Sequence, residues 1–196
     1  MKITILTSTL LCSFSLALTA CGGGGSSSTT KSNVKHTFDG TWLKMCKYNA
    51  STNTADKSKT TFKGDTSNVV VTTYTTSDCS GTATRTDEAT FNIKYQGTFP
   101  TSTCTAEKVD LKLTAAKRNG ASLSKAQIDL VNSTTLYPKY QLLCIDSSGK
   151  LRKGDTSGEL NGTTADKRPK EMDMSTNSGL IKQKASTKMD FTESEN

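Results

Sequence analysis

Residues 91–99, FNIKYQGTF, alternate apolar and polar side chains: Phe91, Ile93, Tyr95 and Phe99 fall on one face, Asn92, Lys94, Gln96 and Thr98 on the other. A repeat of two belongs to a strand with one buried face, because successive side chains of an extended chain point in opposite directions. Residues 108–115 repeat the pattern with Val109, Leu111 and Leu113 inward, and residues 68–74 are rich in β-branched side chains that suit a pleated surface. Further strands are expected at residues 37–47, 59–63, 140–145, 158–160 and 179–182, separated by turn signals such as Asn119-Gly120 and Ser148-Gly149. One stretch breaks the alternation. Leu123, Ile128 and Val131 stand at near-helical spacing behind Ser124 and Gln127, which form a capping box, so one short helix is expected there. The fold class is therefore all-β and antiparallel, a sandwich or a closed barrel; a barrel removes exposed edges. Eight strands would leave an interior that side chains fill or that holds one small ligand.

Such a domain needs covalent help, since only 33% of the chain is hydrophobic and 6% aromatic. Of six cysteines, Cys12 and Cys21 lie in or beside an N-terminal export segment, leaving Cys46, Cys79, Cys104 and Cys144. An even number in an exported chain reads as disulfides. Three connectivities are open. The favoured one joins Cys46 to Cys79 and Cys104 to Cys144, each bridge contributing roughly 3–4 kcal/mol on the loop-entropy model. A metal site is not expected: there is no C-x-x-C, and His36 is the one histidine. No cofactor is expected either.

The export segment is residues 1–20, a lysine followed by an apolar run that ends in small residues. It is short for a membrane-spanning helix, which needs about 20 mostly apolar residues. Leu18-Thr19-Ala20-Cys21 resembles the lipobox of bacterial lipoproteins, which implies cleavage before Cys21 and a lipid on its sulfur. Gly22 follows where an aspartate would resemble an inner-membrane retention signal, so the resemblance implies the outer membrane of the bacterial envelope. Residues 21–37 read as a flexible Gly/Ser/Thr linker spanning roughly 5–6 Å × √n, residues 38–184 as the barrel domain, and residues 185–196 as a polar tail. The formal charge of +7 is dispersed among acids and threonines, without a basic run or interleaved aromatics. Nucleic acid is therefore not an expected partner. The membrane, through the lipid, is one; a monomer is expected.

Gly40-Thr41-Trp42 resembles the G-x-W signature of lipocalin-like barrels, whose tryptophan closes one end. The order that follows extends the likeness: Cys46, then Tyr74 before Cys79, the 91–99 and 108–114 strands, and Arg168-Pro169 ahead of Met172-Asp173. Over about residues 38–183 the chain resembles a group of small bacterial lipoproteins with a lipocalin-like domain. The resemblance supports pairing Cys46 with Cys79. It also implies a late arginine over the tryptophan, Arg168 or Arg152, so that Gly40, Trp42 and Arg168 form the barrel closure.

Chemistry is sparse. A Ser-His-Asp or Cys-His arrangement would depend on His36 beside the linker, whereas catalytic groups are built on rigid elements. The Asp155-to-Asn161 stretch lacks the glycine and closing glutamate of a calcium loop. Asp87 and Glu88, adjacent on a strand, point to opposite faces. The expectation is no enzyme, but a lipid-anchored protein that binds or carries a small ligand, an apolar one included. The alternative is a surface interaction or adhesion-type protein whose barrel is filled by side chains.

Overall fold

A computed structural model describes residues 36–184, except Leu136 and Asn177. The export segment, Cys21, nearly all of the linker and the C-terminal tail lie outside the described residues. The alternating stretches form β1 (Gly40–Asn49), β2 (Thr54–Lys63), β3 (Thr66–Tyr74), β4 (Arg85–Pro100), β5 (Thr105–Arg118), β6 (Ala121–Ser122), β7 (Tyr140–Ile145), β8 (Leu151–Lys153) and β9 (Ile181–Lys182), with one helix, α1 (Lys125–Ser133). All pairings are antiparallel, in the order β8-β7-β5-β4-β3-β2-β1-β9, with β6 hydrogen-bonded to β5 off this path. Leu151 and Leu180 exchange two backbone hydrogen bonds of 2.9 Å across the remaining seam. The sheet thereby nearly closes into the expected barrel of eight strands.

The expected strand at residues 158–160 does not form. That stretch is bend, and the strand lies earlier, at Leu151–Lys153. Three residues are too few for alternation to show, whereas Glu159-Leu160 between glycine-bearing turns imitates it. The capping box is present: Ser124 Oγ accepts from Gln127 N–H at 3.3 Å and the Gln127 side chain accepts from Ser124 N–H at 2.8 Å. The helix serves an edge. Where β5 outruns β7, the Leu113 N–H donates to Asn132 Oδ1 at 3.1 Å and the Asn132 amide donates to Leu113 O at 2.9 Å. A side chain thus supplies the partner that an absent strand leaves missing.

Register fixes which side chains enter the barrel, because paired residues share a face. Trp42 opposes Thr60, Phe62 opposes Ser67, Ile93 opposes Leu111, and Ile145 opposes Leu151. Phe38, Trp42, Phe62, Ile93, Val109, Leu143, Leu151 and Leu180 form the buried core at the closed end. Two smaller clusters lie on the outer face, and each contains a disulfide. Cys46–Cys79, 33 residues apart, sits with Ala55 and Tyr74; Cys104–Cys144, 40 apart, sits with Ala106, Leu142 and Met172. Both bridges have the expected partners.

The second outer cluster is roofed by the segment after β8, which returns along the sheet through a Gly154–Met172 bridge. A Cβ on Gly154 would lie 2.6 Å from Pro169 Cβ and 2.9 Å from its Cγ, inside contact distance of a rigid ring. Gly154→Ala should therefore cost about 1–3 kcal/mol through overpacking. An unchanged urea midpoint would show that the roof shifts without cost.

Candidate functional site

The inner face changes character above the apolar base. Two residues beyond Trp42 on β1, Lys44 opposes Ser58 of β2; across β9 from β1, Lys153 of β8 opposes Leu143 of β7. Both lysines accordingly sit on the inner face. Lys153 is flanked in sequence and register by buried leucines, yet its own residue is solvent-exposed. Accessible surface within dense walls marks space at its level that side chains do not fill. Burial within the barrel, reinforced by the charge of Lys44, pulls the Lys153 ammonium below its usual range.

Unpartnered polar groups share the inner face. Thr60, diagonal to Lys44, is 2% exposed, and Gln141, opposite Val109, is 5% exposed; Thr60 Oγ1 and Gln141 Oε1, like Asp56 Oδ1 and Thr73 Oγ1 nearer the open end, have no hydrogen-bond partner among the described residues. Buried polar atoms without partners are uncommon and cost free energy unless water or a ligand meets them. Val69, Val71, Phe91 and Leu111 share the inner face by register and are only partly buried, so apolar wall is also open to the interior.

Towards the open end a bulge between Lys44 and Lys47 returns Lys47 to the inner face, opposite Asp56. A cavity of about 480 Å³ opens here, and Lys44, Lys47, Asp56, Ser58 and Val71 line its inner-face side. That volume is in the range of small-molecule sites. On the facing wall Asp87 holds Arg85 at 3.0 Å and Arg118 at 2.9 Å, while Glu88 faces outward to Lys117 at 3.8 Å. The adjacent acids diverge, as expected for a strand.

Gly40 and Trp42 stand at the closed end. Trp42 is 1% exposed and its indole N–H donates to Phe38 O at 2.7 Å. Arg168 does not pack over it. Its guanidinium instead lies over the Tyr140 ring at 5.4 Å, donates to Val109 O and Gln141 O at 2.8 Å each, and pairs with Asp110. The cation over Trp42 is Lys182, with Nζ 5.2 Å from the ring. Trp42 opposes Lys182 across β1–β9, which puts both on the inner face, whereas Arg168 follows a loop over the outer wall. Gly40, at φ +122°, makes room for it: a Cβ there would lie 3.2 Å from Lys182 Cε. Arg152 is not the plug either, because it opposes Cys144 on the outer face.

Arg152 instead donates to Asp146 Oδ2 at 2.7 Å in a pair that is 9% and 5% exposed. Desolvation raises the Asp146 pKa, but hydrogen bonds from Ser148, Arg152 and Lys150 outweigh it and hold the carboxyl well below the usual carboxylate range. A depressed folded-state pKa contributes stability that is present above the unfolded value of about 3.9 and lost as pH falls from there through the folded-state value. The urea midpoint should therefore fall between about pH 5 and pH 2, and Asp146→Asn should flatten that dependence. An undiminished slope in the variant would assign the acid sensitivity to other carboxylates.

His36 stacks on Tyr95 with ring centroids 3.8 Å apart and has Nε2 3.4 Å from Asp65, outside the closed end of the core. It meets no serine or cysteine nucleophile in that arrangement. Among the described residues no group of three or more His, Cys, Asp or Glu is placed to hold a metal. Lys44, Thr60, Gln141 and Lys153 were not singled out in the sequence, although parity with Trp42, Leu143 and Leu151 would have put three of them inside. No family profile matches the chain, and no curated protein matches its sequence.

Proposed function

We propose that the chain is a noncatalytic, lipid-anchored protein of the bacterial envelope that carries a small ligand in its barrel. The observation that carries this reading is Lys153, an inner-face lysine that solvent reaches. A barrel packed solid with side chains gives such a residue no water, so its exposure favours a hollow carrier over the filled-barrel alternative. The 480 Å³ cavity at the open end supplies an entrance on the same face. The anchor rests on Leu18-Thr19-Ala20-Cys21 and the linker behind it.

Native mass spectrometry of protein extracted from its own membranes should show a bound small molecule. Val71→Trp, which projects an indole into the cavity, should remove that mass while leaving the thermal midpoint within a few degrees. A protein without any bound mass would contradict the carrier reading. For the anchor, Cys21→Ser should release the protein from the membrane fraction and leave its precursor uncleaved; unchanged partitioning would contradict lipidation.

A further inference from the structure

Two of the inner-face lysines have evident neighbours, since Lys182 covers Trp42 and Lys47 opposes Asp56 at the open end; Lys44 and Lys153 do not. Among the described residues no carboxylate pairs with Lys44 or Lys153. Three acids share the inner face: Asp87 is committed to Arg85 and Arg118, Asp56 lines the open-end cavity with Lys44 and has a buried Oδ1 without a partner, and Glu107 lies across Leu143 from Lys153; none is within ion-pair distance of Lys44 or Lys153. Two like charges enclosed by the same protein walls repel, and a single anion between them relieves that repulsion. Thr60 adds a hydroxyl able to donate to such an anion, and the Gln141 amide can turn its NH₂ or its oxygen inward. Thr60 is 2% and Gln141 5% exposed, and each has a polar atom without a partner among the described residues.

The rest of the open wall is apolar. Val69, Val71, Phe91 and Leu111 occupy the inner face of β3, β4 and β5, facing the β1–β8 side from which the lysines project. A cationic, polar focus beside an apolar wall is complementary to a molecule with one charged end and one hydrocarbon end. We infer that the ligand is a small amphiphile with one anionic head, held between Lys44 and Lys153, with its apolar part against Val69, Val71, Phe91 and Leu111. This rests on the carrier reading above. It narrows the ligand from any small molecule to one whose charge is part of its recognition. The lowered proton affinity of Lys153 accords with a site that lacks its counter-charge when empty.

The test is calorimetric titration of the full mature chain in neutral phosphatidylcholine nanodiscs, against empty nanodiscs, with octanoate, octanol and octylammonium. Octanoate should bind saturably at one site, octanol at least about tenfold more weakly, and octylammonium not at all. Lys44→Met and Lys153→Met keep the side-chain length while removing the charge. Each should lower octanoate affinity about 10- to 100-fold and leave octanol unchanged. Because each variant removes a repelling charge, the thermal midpoint should not fall. Equal binding of octanoate and octanol, or preference for octylammonium, overturns the anionic assignment while leaving a carrier. Saturable binding of none of the three overturns both.

Discussion

Trp42→Ala should destabilise the domain by about 3–5 kcal/mol, the range for deleting a fully buried large aromatic side chain. Trp42 is 1% exposed and central to the cluster that includes Phe38, Phe62, Leu151 and Leu180. Its removal opens a cavity where three weak features meet: the N-terminal entry at Phe38, the two-residue strand β9 and the Leu151–Leu180 seam. It also leaves Phe38 O without its indole donor and Lys182 without its ring. Chemical denaturation should show the full loss, and hydrogen exchange should show Leu180 and Leu151 amides opening first. A loss below 1 kcal/mol would mean that the barrel is closed by something other than this residue.

Removal of Cys104–Cys144 as a double serine variant should cost about 2–5 kcal/mol. The bridge ties the β4–β5 hairpin to β7, 40 residues away, where β5 and β7 share only four register pairs. β7 carries Leu143 and Gln141 on the inner face and receives β8 with Lys153. The bridge therefore holds the wall on which Gln141 and Lys153 are mounted. Loss of Cys46–Cys79 should lower stability too, but β1, β2 and β3 are already joined by long ladders. Thermal melts with and without reductant check both, and ligand binding should weaken more in the Cys104/Cys144 variant. The opposite order would place the binding wall on β1–β3 alone.

Much of this arrangement is legible as parity. Phe91, Ile93 and Tyr95 announce an inner face because water on one side and core on the other impose a repeat of two, and the structure pairs them with Leu113, Leu111 and Val109. The capping box of α1 is legible because it is a local exchange of hydrogen bonds. Long-range facts are less so. Lys182 rather than Arg168 reaches Trp42 because a two-residue strand happens to register there, and nothing near either cation in sequence encodes that pairing. The 158–160 expectation failed because alternation over three residues carries almost no information.

The lumen lysines lie between these cases. Lys44 stands two residues beyond Trp42 and Lys153 two beyond Leu151, so parity alone puts them inside once those anchors are known. Composition works against noticing them, since lysine on a polar chain reads as surface. What distinguishes them is the wall opposite, and only the register across β3, β4 and β5 supplies it.

The central claim is that the barrel is hollow and wet around Lys44 and Lys153, and a crystal structure of the protein purified from its own membranes tests it most directly. The account predicts non-protein electron density, water or ligand, between these two ammonium groups and the Val69, Phe91 and Leu111 wall. Continuous side-chain packing across that space, with Lys153 turned out of the barrel, would contradict it.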